Sequence, residues 1–440
     1  MAVRHRDRIS DILLKDSKAV VLALLFAGSM WLYVNRVLIP HQRSEAATHE
    51  VPRGNLSDLY PRWLGSRELL LHHRNPYSAE VTREIQAGYY GRELDPSRPM
   101  DPKDQQAFAY PVYVAFLLAP TVELPFRSVR IGFEWLLITM TAASVWLWFR
   151  AFQWQPPARI GVAATLLLLG SFPAVQGIKL DQLSLLVAGM ISLCAALLAS
   201  AQLIAAGIVL AVATIKPQLV VPLAAYLLLW AATDWARRQR FVWAFGLAMI
   251  ALWAGGEIIL PGWVTKFRQA AHEYLRYTGG KSLLESLLSP LWGSITSLLL
   301  FSALALAVWR FRRAEPQSRQ FSIVFAAALA VTLISVPMVA PYNYFILVPA
   351  VLLIVREWEG LWRANVFTKA MCVATVLFVG WQWLGALLAV LASVWLPPET
   401  VQRAWKLPLL AILMIPFVVL VQMALLLSGA WTSEPAARLQ

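Results

Sequence analysis

Ser57-Asp58-Leu59-Tyr60-Pro61-Arg62-Trp63, running on to Asn75-Pro76-Tyr77, is the stretch of this chain best equipped for water-soluble chemistry. It puts a carboxylate, a guanidinium and several aromatic rings directly after the first long apolar segment, ahead of sequence that is mostly lipid-soluble helix. A carboxylate held at a membrane surface beside rings and cations suits a base that removes a proton from a sugar hydroxyl. Arg62 follows Asp58 by four positions, so on a helix the two share a face and the guanidinium would keep the carboxylate ionised and oriented. The plainer alternative is that Ser57 or Asp58 caps a helix through Tyr60–Leu71.

A second set of candidates lies in the apolar part. Lys216-Pro217-Gln218 interrupts two short apolar runs. Proline breaks the helical ladder, and a lysine at membrane depth is costly unless it faces water or a counter-ion. Lys216 is therefore expected to line a cavity and hold an anionic lipid phosphate, the alternative being a lysine that snorkels from a helix end. Asp181 sits in a turn beside Lys179 and Gln182, where local turn chemistry is the competing explanation. Glu257 reads as an interfacial carboxylate. His72-His73 point apart on a helix and make poor ligands for one metal. Asp95, Asp101 and Asp104 read as a solvated loop, and Arg356–Trp362 as a cytosolic interface.

These residues must be held by membrane helices. Of 440 residues, 59% are hydrophobic and 20 are tryptophan, which marks an all-α polytopic membrane protein. The net charge of +13 fits cytosolic loops facing anionic lipid rather than nucleic acid, since no basic stripe sits in a soluble domain. Cys194 and Cys372 lie inside apolar runs and read as small buried hydrophobes. At about 20 residues per crossing, about twelve spans are expected. They lie near 19–39, 131–149, 160–175, 183–200, 203–215, 220–232, 241–260, 284–309, 321–339, 344–355, 367–395 and 407–427.

The basic segments are the N-terminus, Arg237–Arg240, Arg310–Arg313 and Arg356–Lys369, and with twelve spans all fall on the cytosolic side. The Asp58 loop, the Lys179–Gln182 turn, Lys216–Gln218, the Pro261–Lys281 loop and Pro341–Tyr344 then share the opposite side. This requires Tyr110–Leu124, punctuated by Pro111 and Pro120, to be re-entrant or surface-lying. Both termini are then cytosolic. The chain divides into a basic N-terminus with the first span (1–40), an extracytosolic loop (41–129), a transmembrane bundle (130–427) and a tail (428–440).

No metalloprotease, P-loop, dinucleotide or nucleophile-elbow motif occurs. Without a nucleotide fold, an activated sugar would arrive on a lipid. Ser57–Tyr60, then Arg74-Asn75-Pro76-Tyr77, then Phe108-Ala109-Tyr110-Pro111 leading to Ala119-Pro120 and Leu124-Pro125, resembles the family 87 glycosyltransferases in order and spacing. Gln182, Lys216-Pro217-Gln218 and Pro341-Tyr342-Asn343 continue the resemblance, which covers about residues 55–350. The sequence departs from the pattern at Arg74, where a glycine is usual, at Val112, where a second proline often sits, and at Tyr342-Asn343-Tyr344, which carries no histidine.

The resemblance implies a GT-C type helical bundle with a large first extracytosolic loop, working in the cell membrane on a polyprenyl-phosphate sugar, mannose foremost. Asp58 takes the place of the family's presumed base. The mechanism expected is a single inverting displacement onto a lipid or glycan acceptor. Lys216, then Arg62 and Lys179, are the candidates for meeting the donor phosphate. Tyr60, Trp63, Tyr77, Tyr110, Asp181, Gln182, Gln218, Tyr342 and Asn343 are the candidate substrate-binding residues, although interfacial anchoring also explains the aromatic ones. No carboxylate cluster demands a metal, and no cofactor is expected. Two other classes remain open on the sequence: a lipid-linked sugar flippase or transporter, and a noncatalytic scaffold subunit.

Overall fold

The computed structural model describes residues 2–49, 57–95, 97–337 and 340–429, with side chains from Lys18 onward. Among the described residues the chain is helical throughout, without strands. The first helix is nearly continuous: α1 (Ala2–Tyr33) passes through a π-wound stretch (Val34–Leu38) into α2 (Ile39–Thr48), well past the end expected from apolarity alone. The tail beyond Gly429 lies outside the described residues.

The polar segment that follows is not a plain loop. It folds into α3 (Tyr60–His72) and α4 (Ala79–Tyr90), pinned together by Arg74, which bridges Glu68 at 2.7 Å and Glu84 at 2.6 Å. Arg74 thus has a structural task at the position where a glycine was expected. The segment Tyr110–Leu124 contains only the five-residue α5 (Val114–Leu118) and a 3-10 turn, too short to cross a bilayer.

The apolar bundle comprises α6 (Phe126–Ala151), α7 (Ala158–Leu169), α8 (Phe172–Lys179), α9 (Leu183–Ala199), α10 (Leu203–Ala213), α11 (Pro217–Ala232) and α12 (Trp235–Ile259). After α13 (Trp263–Thr278) and α14 (Leu283–Leu287) it resumes with α15 (Pro290–Arg310), α16 (Arg319–Ser335) and α17 (Val348–Arg356). It closes with α18 (Trp358–Ala364), α19 (Val366–Trp395), α20 (Pro398–Arg403) and α21 (Ile415–Ser428).

Among the described residues, each of the twelve expected segments is largely apolar helix, but they fall into two classes by length. Six are long and apolar enough to cross a membrane, and α7 with α8 makes a seventh if that pair, bent by 55°, is one span. Five are shorter, from α10 at 11 residues to α9 and α16 at 17. At about 1.5 Å per residue these rise roughly 16–26 Å, less than a hydrocarbon core of about 30 Å. Twelve full crossings are therefore not given by helix length.

The short helices form the centre. Nearly every residue of α9 and α16 is buried, whereas α12 exposes Trp243, Leu247, Ile250 and Trp253 along its length, as a lipid-facing helix does. Close approach is built in by small residues. A Cβ on Gly207 would stand 2.6 Å from the carbonyl oxygen of Phe241, which fixes α10 against α12. Cys194 and Cys372 are buried and unbridged.

Candidate active site

The α8–α9 turn positions the loop ahead of α3. Ser171 caps α8 with its hydroxyl, accepting from the Ala174 amide, and the helix ends at Lys179. Asp181 then takes a left-handed conformation (φ 52°), which reverses the chain into α9. Three successive turn residues hold Ser57 and Asp58. The Leu180 carbonyl accepts from the Asp58 amide at 2.8 Å, Asp181 Oδ2 accepts from Ser57 Oγ at 2.7 Å, and Gln182 Nε2 donates to Asp58 Oδ2.

Tyr89 Oη donates to the other Asp58 oxygen at 3.3 Å, so both oxygens are oriented. Asp58 does not cap α3. The N-cap is Leu59, with no side-chain capping bond, and Ser57 Oγ accepts from the Leu59 amide instead. Arg62 reaches back one turn as expected, but its Nη1 donates to the main-chain carbonyl of Asp58 at 2.6 Å while its guanidinium covers the Tyr110 ring at 4.6 Å. The carboxylate is thereby left available. Burial raises the Asp58 pKa above the ordinary carboxylate range, with Arg62 and Lys216 opposing the rise and Asp104 adding to it.

Lys216 occupies the break between α10 and α11. Pro217 opens α11 and cannot supply an amide hydrogen to extend the ladder, so Lys216 has non-helical backbone. Its ammonium donates to Ser184 Oγ and, at 3.3 Å, to Asn343 Oδ1, and it lies 5.1 Å from the centre of the Tyr342 ring. Ser184 Oγ also donates to Asn343 Oδ1, at 2.8 Å. Among the described residues, the ammonium is buried without a carboxylate in its hydrogen-bonding set. A buried cation held by neutral groups retains unspent attraction for an anion.

Asp58, Arg62, Tyr110, Gln182, Lys216, Gln218, Tyr342 and Asn343 all line one cavity of about 530 Å³. These eight residues come from five separate stretches of chain. The remaining candidates stand behind its wall. Tyr77 Oη donates to the Tyr110 carbonyl at 2.6 Å and its ring meets Phe108 edge-on. Trp63 Nε1 donates to the Thr121 carbonyl at 3.1 Å, and Tyr60 packs edge-to-face on Phe126. Asp181 is fully buried and pairs with Arg130 at 3.2 Å. Lys179 Nζ rests 5.3 Å from the Trp31 ring.

The profile of glycosyltransferase family 87 matches residues 108–341. The chain belongs to glycosyltransferase family 87. Neither a curated protein nor a solved structure matches it. The match takes in Tyr110, Gln182, Lys216 and Gln218 and ends at Pro341, next to Tyr342 and Asn343. Asp58 lies upstream of the matched residues and joins the glycosyltransferase cavity through its contacts with Leu180 and Gln182.

Two parts of the glycosyltransferase cavity were not foreseen. Asp104 is not a solvated loop residue: it lines the cavity, where burial raises its pKa. Asp101 instead pairs with Arg92. The Pro261–Lys281 loop is largely helix α13, bounded by Gly262 (φ 70°) and Gly279 (φ 87°), and it contributes Phe267, Tyr274, Leu275 and Tyr277 to the lining. Its alternation of Lys266, Arg268 and Arg276 with aromatic residues was the available signal.

Proposed function

We propose that this glycosyltransferase moves a hexose, mannose foremost, from a polyprenyl phosphate to a hydroxyl of a lipid or glycan acceptor, with Asp58 as general base. The observation that carries the reading is the meeting of an oriented carboxylate and a buried cation, Asp58 and Lys216, in one cavity within an apolar helical bundle. The acceptor O–H gives its proton to Asp58 as the oxygen attacks the anomeric carbon from the side opposite the phosphate. The bond from that carbon to the phosphate oxygen breaks, and its electron pair leaves with the lipid phosphate. The configuration inverts. Lys216, with Arg62, meets the charge that develops on the departing phosphate.

A phosphate monoester leaves well by itself, so the scheme needs no separate general acid, and it uses no metal. The apolar residues that share the cavity, among them Ile215, Phe267, Leu275 and Val336, suit the first isoprene units of such a donor. In this reading both termini are cytosolic and the cavity opens on the extracytosolic face of the cell membrane, which the clustering of Lys and Arg in the expected cytosolic loops supports.

Purified enzyme offered polyprenyl-phosphate mannose, polyprenyl-phosphate glucose and GDP-mannose, with a lipid extract as acceptor, tests the donor class. Transfer from a polyprenyl-phosphate sugar alone, with proton NMR of the product showing the inverted anomer, is the expected result. Transfer from GDP-mannose, or retention, would overturn it.

A further inference from the structure

The 55° bend between α7 and α8 is held by side chains from two other helices. A straight helix satisfies its own backbone, whereas a break in an apolar bundle leaves carbonyls and amides open. Here they are filled one after another. Ser171 Oγ donates to the Leu168 carbonyl at 2.7 Å. The next two carbonyls, Leu169 and Gly170, accept from Trp31 Nε1 at 3.1 Å and Trp383 Nε1 at 2.8 Å. The first amide of α8, that of Phe172, donates to Gln382 Oε1 at 2.8 Å. Trp31 belongs to α1, and Gln382 and Trp383 to α19. Gly170 also lies so close to the backbone of Ala27 that a Cβ there would collide with it.

This joint holds the near end of α8, a stiff rod about 12 Å long at the usual helical rise. Beyond its far end, Leu180, Asp181 and Gln182 bind Ser57 and Asp58. Along its side, α8 packs on the 3-10 turn Pro341–Leu347, which carries Tyr342 and Asn343. Asn343 in turn accepts from Lys216. One short helix therefore stands between the carboxylate and the cation of the site. Trp31 grips it at both ends, since Lys179 Nζ rests over the same ring.

Among the described residues, nothing in α1, α8 or α19 lines the cavity. Their influence on it is mechanical. A tilt of about 5° at the joint carries the far end of a rod this long by about 1 Å, which can cost about a hundredfold in rate. We propose that Trp31, Gln382 and Trp383 are positioning residues for the transfer reaction. By fixing the joint they set the angle of α8, and through α8 the placement of Asp58 and of the Asn343–Lys216 pair. The kinetic consequence rests on the reading of Asp58 as base, whereas the mechanical link does not.

The test uses the full-length enzyme with two variants that break separate bonds. Gln382→Met keeps the length and loses the acceptor; Trp383→Phe keeps a ring and loses the N–H. Each is expected to lower kcat by about tenfold to a hundredfold with both KM values within about twofold, as for a displaced reacting group. Gln382→Glu, which keeps an oxygen acceptor for the Phe172 amide, should return kcat to within about threefold of wild type. Hydrogen exchange in the absence of substrates reads the link directly. Amides of residues 57–60 should exchange about threefold to tenfold faster in Gln382→Met and Trp383→Phe, while those of α10 and α12 keep the wild-type rate.

Unchanged exchange at residues 57–60 in both variants would overturn the proposal, whatever happens to the rate. So would faster exchange throughout the bundle that Gln382→Glu does not reverse, since the joint would then serve stability alone. Faster exchange at 57–60 with kcat intact would overturn the positioning role. If wild type takes nothing from polyprenyl-phosphate sugars, locally faster exchange at 57–60 would uphold the mechanical link and reject the donor instead.

Discussion

The amide of Asp58 donates to the carbonyl of Leu180 at 2.8 Å, which ties the loop before α3 to the turn between α8 and α9. That turn then supplies Asp181 to Ser57 and Gln182 to Asp58. The carboxylate is thus positioned by residues far away in the chain, and the turn itself is braced by the Arg130–Asp181 pair.

Asp181→Asn tests this bracing. Asparagine keeps the size and tolerates the left-handed backbone at 181, but gives up the charge that holds Arg130. The expected result is a fall in kcat of about tenfold to a hundredfold with little change in either KM, because a small displacement of a reacting group is enough to cost that much. Steady-state kinetics with varied donor and acceptor would check it. A change in thermal stability with kcat intact would mean that the turn serves the fold alone.

The pH dependence follows from Asp58. Its pKa is raised by burial above the ordinary value near 3.8. A base works ionised, so the transfer rate should fall as pH drops through that raised value, placing the acid limb of the profile above the ordinary carboxylate range. Stability has the opposite sign. The fold favours the protonated form, so the Asp58 contribution is complete below about 3.8 and is lost as pH rises through the raised value. Rate and melting temperature, measured on one pH series, should therefore diverge, and Asp58→Asn should remove its share of the stability trend.

Lys216→Met replaces the cation with an apolar side chain of similar length. Removing a preorganised charge stabiliser costs about 10²- to 10³-fold in kcat in well-studied cases, and a loss of that size is expected here. The variant should fold, since Ser184 still donates to Asn343 without the ammonium. If kcat survives while melting temperature falls, Lys216 is a structural lysine.

Gly65→Ala probes the wall. A Cβ at Gly65 would lie 2.4 Å from Cδ2 of Phe108, a fully buried ring flanked by the lining residues Ala107 and Ala109. Overpacking of this kind costs about 1–3 kcal/mol, which thermal unfolding would register. An unchanged melting temperature would show that Phe108 can move freely.

The sequence was most legible where a local rule sufficed. Lys216-Pro217 announces a helix break with a cation in it, and a broken helix is what forms. Asp58 stands out because its surroundings are polar and aromatic. Asp104 was opaque for the opposite reason: among Asp95 and Asp101 it looks like one more loop carboxylate, and only the left-handed Gln106 and the Tyr90 contact aim it inward. Helix α13 was hidden because its basic residues depress apolarity, although its rings recur on one face. Apolarity alone also leaves crossing length open, since α9 and α16 are apolar all round while being almost wholly buried in protein.

Lys179 illustrates a different limit. It shares a turn with Asp181 and Gln182, but α8 carries it to the Trp31 ring, outside the cavity. Adjacent positions in a turn can serve different compartments of the fold. Spacing cannot tell them apart.

The most direct measurement compares wild type with Asp58→Asn for transfer of radiolabelled mannose from polyprenyl-phosphate mannose, both purified and matched by size exclusion. With Asp58 as general base, wild type gives a labelled product and the variant loses about 10²- to 10⁴-fold, the range that a positioned general base supplies. Equal labelling by the two proteins would contradict it.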